Sequence, residues 1–201
     1  MLIVFIGPPG AGKGTQSKRL LDHFGIPHLS TGEMLRAAKQ ENSSLGQLAA
    51  QYMDSGRLVP DPLVMSIVGE RLGQPQYAKG CMFDGFPRTI QQAKSLDEAL
   101  AQRGTPLNIV IELRANEAEL INRMLRRAAA ERRADDNPQT IGQRMEVYHR
   151  QTEPLLEYYR QQGRLLTVDA MGSPDEVFDR ICQGIKRFKH ALPSQASVAS
   201  S

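Results

Sequence analysis

Apolar and polar positions follow two rhythms along this chain, and the switch from one to the other marks its elements. Leu2-Ile-Val-Phe-Ile6 is an unbroken apolar run, the pattern of a strand buried on both faces. From Gln16 to Phe24 the apolar residues Leu20, Leu21 and Phe24 recur at helical spacing. Gly25-Ile-Pro-His-Leu-Ser30 reads as a turn into a short second strand, with Ser30 or Thr31 placed to cap a helix. Short helices are predicted over 33–39 and 45–53, separated by the polar Asn42-Ser-Ser44, and Gly56-Arg-Leu-Val-Pro60 closes the stretch. Residues 62–72 are again helical, with Leu63, Ile67, Val68 and Leu72 on one face.

The second half repeats the alternation. Gly80-Cys-Met-Phe83 is a short apolar strand ending at Asp84, and a helix follows from Thr89 to Gln102. Leu107 to Leu113 is the next strand, and Glu117 to Arg127 the next helix, with an apolar stripe of Leu120, Ile121, Met124 and Leu125. Residues 128–138 are polar and charged, without a strand signal. A long helical stretch over 139–162 carries its stripe at Ile141, Met145, Tyr148, Thr152, Leu155 and Tyr159, and Pro154 should kink or divide it. Arg164 to Asp169 is a last strand, Pro174 to His190 a last helix, and 191–201 a tail of small residues expected to fray. Strands alternate with helices throughout, so the expected fold is α/β, a parallel sheet covered by helices on both faces.

The first connection carries the chemistry. Gly7-Pro-Pro-Gly-Ala-Gly-Lys-Gly-Thr15 joins the first strand to the first helix, the order a phosphate-binding loop requires. Gly7, Gly10 and Gly12 let the backbone turn sharply and bare its N–H groups. Those groups, with the positive end of the helix, can surround phosphate oxygens, while Lys13 adds a point charge on the terminal phosphates. Gly14 follows Lys13 where the general pattern has a hydroxyl, which comes one residue later at Thr15, so the source of any Mg²⁺ ligand stays open. Read as residues alone, Asp84 fits either a metal-facing carboxylate at a strand end or a loop cap. Arg123 and Arg127, spaced i,i+4, fit either a shared ligand or a solvated face.

Composition narrows the function classes. The 201 residues suit one core domain, and 25 Lys plus Arg against 22 Asp plus Glu leave a net charge of +3, too small to argue for nucleic acid as a partner. Cys81 and Cys182 lie far apart, with no C-x-x-C and no paired His, so neither a disulfide framework nor a zinc site is expected. Both are expected to be buried thiols, and His23, His28, His149 and His190 match no metal spacing. The N-terminus has no basic leader, and no apolar run reaches the roughly 18 residues that span a bilayer. The expectation is a soluble, cytoplasmic monomer without membrane attachment.

Four segments in order, Gly7 to Thr15, Ser30-Thr-Gly-Glu-Met-Leu-Arg36, Phe83-Asp-Gly-Phe-Pro-Arg-Thr89, and Arg133-Ala-Asp-Asp136 with Arg144 beyond it, make the chain resemble the adenylate kinases from Met1 to about Lys189. The resemblance implies a core of 1–29, 60–127 and 138–190, an AMP-binding insertion over 30–59, and a lid over 128–137. That lid is of the short form, without Cys or His and so without structural zinc. It implies transfer of the terminal phosphoryl group of ATP to AMP, with Mg²⁺ accompanying ATP. ATP would lie on Gly10, Ala11, Gly12, Lys13, Gly14 and Thr15, with Arg123 and the backbone of Gly172 at the base and Arg127 on phosphate. AMP would be held by Thr31, by Arg36 and Arg88 on its phosphate, by the backbone of Arg57, Leu58 and Val59, by Gly85, Phe86 and Pro87, and by Gln92 on adenine. Lys13, Asp84, Arg88, Arg127, Arg133 and Arg144 would carry the transfer, Arg133 and Arg144 closing over the moving group. Kinases of uridine or cytidine monophosphate share the fold and are the nearest rivals, while a non-catalytic nucleotide switch is disfavoured by the absence of an N-K-x-D or T-K-x-D guanine motif.

Overall fold

The computed structural model describes residues 1–41, 43–131 and 137–191. Its centre is strand β1 (Ile3–Ile6), whose four residues are all buried because the sheet is covered on both sides. β2 (His28–Ser30), β3 (Met82–Asp84), β4 (Ile109–Arg114) and β5 (Leu165–Asp169) complete a five-stranded sheet in the order β2-β3-β1-β4-β5. Every pairing is parallel, with Val4 opposite Phe83 on one side and Val110 on the other. All strands therefore end on one edge. The strand order reverses at β1, so the crevice outside its C-terminal end, where Gly7 begins the loop, is the place for a ligand.

Alternation along the strands divides the core in two. Ile3, Phe5, Met82, Ile109 and Ile111 pack under α1 (Lys13–Phe24) with residues of the later helices, Met124, Ile141 and Ile181. Val4, Ile6, Phe83 and Val110 face the other way, toward α4 (Asp61–Leu72) and α5 (Ile90–Gln102). Between β2 and α4 the chain folds into α2 (Thr31–Gln40) and α3 (Ser44–Met53). Ser30 is the N-cap of α2, its hydroxyl accepting from the Glu33 N–H at 3.3 Å, which settles the choice between Ser30 and Thr31. The two helices cross at backbone contact: a side chain on Gly46 would put its first carbon 2.0 Å from the carbonyl oxygen of Ala38.

Several sequence expectations are corrected. α1 begins at Lys13, not Gln16, because the loop itself winds into the first turn. α6 (Glu117–Glu131) runs past Arg127 through the alanines, which are strong helix formers. On α4 the buried stripe is Val64, Val68 and Leu72, while Leu63 and Ile67 are only partly buried. Leu125 on α6 is exposed at 43%, whereas Leu120 and Met124 are buried. Cys81 is buried as expected, but Cys182 is only partly so. The long helix is divided into α7 (Pro138–Val147) and α8 (Pro154–Gln161) by a π turn over Tyr148–Thr152. Pro154 has no N–H to offer the preceding turn, and the wider turn is closed by the Glu153 N–H donating to the Tyr148 carbonyl at 2.9 Å. The stripe nonetheless survives, with Ile141, Met145, Tyr148, Thr152, Leu155 and Tyr159 all buried. The last helix, α9, spans Pro174–Ala191. Arg133 to Asp136, the His190 side chain and 192–201 fall outside the described residues.

Candidate active site

Between Ile6 and Lys13 the loop passes so close to α6 that Gly10, at φ 82°, has no room for a side chain, since a Cβ would meet the Leu120 carbonyl at 2.5 Å. Gly12, in the left-handed region, is the N-cap of α1 and offers no side-chain acceptor. The first-turn N–H groups of Lys13, Gly14 and Thr15 therefore point into the crevice as donors for an anion. Lys13 is only partly buried as a residue, but its Nζ turns inward and donates to the carbonyls of Gly7 at 2.7 Å and Pro8 at 3.0 Å. Burial pushes the Lys13 ammonium down to about 7; Arg88, Arg144 and Arg127 add to the effect, and Asp84 opposes it. The structure thus gathers at one point four cations that the chain spreads over more than half its length.

Asp84 ends β3 with 9% exposure, beside the loop. Burial pushes its carboxyl up, but His28, Lys13 and Arg88 outweigh this and hold it below its ordinary value. His28 Nε2 lies 3.5 Å from Asp84 Oδ2 and has no aligned hydrogen-bond partner among the described residues. Gly14, whose Cβ would stand 3.7 Å from Asp84 Oδ2, brings the first turn of α1 against the carboxylate. A carboxylate held ionised beside the loop suits a hard divalent cation reached directly or through water. Among the described residues no cluster of three or more His, Cys, Asp or Glu could cage one.

Two cavities open at this edge. One is bounded by α2, the end of α3 and the β3–α5 turn, and its lining includes Thr31, Arg36, Arg57, Leu58, Val59 and Gln92. The other lies over Gly7, Pro9 and Lys13, with Pro87 and Tyr148 among its walls. Gly56, Leu58, Gly85, Arg88 and Arg144 belong to both, so the two spaces adjoin along these residues, Arg88 and Arg144 among them. Thr31 Oγ1 donates to the Gly85 carbonyl at 2.9 Å, and Arg88 Nε to the same oxygen at 2.8 Å. Gly85, at φ 76°, keeps this turn tight; a Cβ would sit 3.0 Å from Thr31 Oγ1. Phe86 is fully buried against Phe83, is joined to Pro87 by a cis bond, and lines neither cavity.

Arg123 and Arg127 do not act as a simple pair. Arg123 donates to Glu119 Oε1 at 2.7 Å and to the Ala170 carbonyl at 3.0 Å, which ties it to the β5–α9 turn that holds Gly172. Arg127 is near enough to Lys13 for its charge to be felt there. Of the expected residues, Ala11 is buried behind the loop, Thr15 is exposed, and Arg133 lies outside the described residues. Sequence reasoning missed Met53, Gly56 and Val64 in the first cavity and the contacts of Asp61, whose partners lie far along the chain.

The family model described as adenylate kinase matches residues 5–164. An adenylate kinase of Maricaulis maris (strain MCS10) is 50% identical over 177 residues, covering 88% of this chain and 94% of that protein. One from Parabacteroides distasonis is 42% identical over 187 residues, or 93% of this chain and 98% of its own length. A third, from Xanthomonas axonopodis pv. citri (strain 306), is 46% identical across 93% of this chain and all of its own.

Proposed function

The chain belongs to the adenylate kinase family, and from that membership we propose how its two cavities divide the work. The protein is a nucleoside monophosphate kinase that transfers the terminal phosphoryl group of ATP to AMP, giving two ADP and so balancing the adenine nucleotides. The cavity over the loop, lined by Lys13 alone of the ATP-binding set, is the phosphate end of the donor site; Gly10 to Thr15 would hold the triphosphate, and outside that cavity Arg123 and Gly172 would flank the base and Arg127 take a phosphate. The cavity under α2 and α3 is the acceptor site. There Arg36 and Arg88 fork onto the AMP phosphate, as planar guanidinium donors suit. Thr31, Gln92 and the backbone of Arg57, Leu58 and Val59 surround its base, and the turn of Gly85, Phe86 and Pro87 would form the wall, with Gly85 lining the cavity.

The observation that carries this division is the meeting of both cavities at Arg88 and Arg144, next to Lys13. A phosphoryl group passing between them crosses a ring of positive charge, which Arg133 would complete, and charge spread over its oxygens is stabilised there without reorganisation. No general base is required. The attacking phosphate, with a second pKa near 6, is already ionised at neutral pH. Mg²⁺ on the nucleotide, with Asp84 beside it, would neutralise further phosphate charge.

Residues 30–59 are assigned to the acceptor-binding segment and 128–137 to the lid, which would exclude water from the transfer. A monomer is supported by the exposed large apolar side chains among the described residues, Leu48 and Leu125, lying on separate helices. A reducing cytoplasm is supported by two free cysteines, and no described helix is long and apolar enough to cross a membrane. The test is ADP formation from ATP with AMP, UMP or CMP as acceptor. Clear preference for AMP is expected, and equal or better use of a pyrimidine nucleotide would overturn the assignment of the acceptor cavity.

A further inference from the structure

Gln92 lines the acceptor cavity, yet half of its amide is already engaged from behind. Its Nε2 donates to Asp61 Oδ1 at 2.6 Å, and its Oε1 accepts from the Arg88 main-chain N–H at 2.7 Å. Thr89 Oγ1 donates to the other carboxylate oxygen, Asp61 Oδ2, at 2.8 Å and accepts from the Gln92 N–H at 3.1 Å. Asp61 is the first residue of α4 and does not line the cavity; it stands behind Gln92.

A carboxylate can only accept and a main-chain N–H can only donate. The two partners therefore dictate which end of the Gln92 amide is nitrogen and which is oxygen. Turning the amide over would set oxygen against carboxylate and N–H against N–H. One Nε2 hydrogen and one Oε1 lone pair remain for the cavity, in a fixed order. An adenine edge, with an accepting N1 beside a donating 6-amino group, matches that order. A 6-oxo purine carries N1–H beside a carbonyl and meets the same amide with donor against donor and acceptor against acceptor. A freely turning glutamine could read either base.

We propose that Asp61 sets purine specificity at the acceptor site, holding Gln92 in the one amide orientation that admits a 6-amino purine monophosphate and rejects a 6-oxo one. This rests on the reading of that cavity as the acceptor site. Asp61 is a positioning residue, acting on the base only through Gln92. The bond it makes is charge-assisted, the stronger class, and an unmatched polar group in a buried site is the costliest form of misfit.

The experiment compares AMP with inosine monophosphate as acceptors, ATP being the donor, in the parent, Asp61→Ala and Gln92→Ala. In Asp61→Ala the ratio of kcat/KM for AMP over inosine monophosphate is expected to fall by about tenfold or more, through a rise in KM for AMP, while KM for ATP stays within about twofold. Gln92→Ala should lower the ratio too. A folded Asp61→Ala whose ratio stays within about twofold of the parent, or whose activity falls equally for both acceptors, overturns the role of Asp61 provided Gln92→Ala still loses selectivity. An unchanged ratio in Gln92→Ala instead overturns the adenine-edge reading beneath it. Should Asp61→Ala fail to fold, the isosteric Asp61→Asn, whose amide can turn to meet either end of Gln92, should lower the ratio by about threefold, and a smaller change overturns the proposal.

Discussion

Lys13 Nζ donates to the carbonyl of Gly7 at 2.7 Å, so the lysine bonds back to its own loop. Its pKa is lowered to about 7, first by burial and then by Arg88, Arg144 and Arg127. Above that pH the lowered pKa favours the neutral amine, and a bound phosphate would favour the charged form. Nucleotide binding should therefore take up a proton and weaken as pH rises through and beyond about 7. Folding shows the opposite slope: between about 7 and the ordinary lysine value of 10.5 the unfolded chain holds a proton that the folded one lacks, so this residue's contribution to stability rises with pH. Calorimetry of ATP binding near pH 8, in two buffers of different ionisation enthalpy, should show uptake approaching one proton. Lys13→Met should abolish the uptake and lower transfer severely; activity within about threefold of the parent, roughly 0.7 kcal/mol of barrier, would contradict the assignment.

Arg88 belongs to both cavities and should behave accordingly. Arg88→Ala is expected to raise KM for AMP and lower kcat together, since under the proposed assignment the residue would both bind the nucleophile and face the transferring group. ATP affinity, measured separately by titration, should change little. A variant that lost ATP and kept AMP would require the two cavities to be exchanged.

Gly46 makes the α2–α3 crossing a test of the acceptor segment alone. A methyl there would meet the Ala38 carbonyl at 2.0 Å, and backbone cannot yield as a side chain can. Gly46→Ala should raise KM for AMP by at least about threefold, with ATP binding unaffected and a loss of roughly 1–3 kcal/mol in stability. Unchanged acceptor kinetics would mean that α2 and α3 do not hold the acceptor.

Turnover should require Mg²⁺, and purified protein should carry no stoichiometric zinc. Chelation with EDTA ought to abolish transfer, with full recovery on adding Mg²⁺. Elemental analysis showing one zinc per chain would refute the short-lid reading of residues 128–137.

How far the sequence reaches depends on how local each determinant is. The loop, the strand before it and the helix after it are contiguous, and glycine spacing announces them. On α4 the apolar residues Leu63, Val64, Met65, Ile67 and Val68 cover more than one face, so periodicity could not choose the stripe; packing against the sheet chose Val64 and Val68. Pro154 signalled an interruption, but the form it took depends on where the Tyr148 carbonyl finds a donor. Asp61 gave no signal at all. Its bonds to Thr89 and Gln92 cross from one helix to another, and only the fold brings them within reach.

The placing of β1 at the middle of the sheet has a consequence for biosynthesis. Ile3 leaves the ribosome well before its partners Met82 and Ile109, which lie 79 and 106 residues further along. Strand β1 is thus made long before it can gain its neighbours, and its apolar residues remain unsheltered meanwhile. Nascent chains ending before β4 should lack nucleotide affinity and should be the species that chaperones hold.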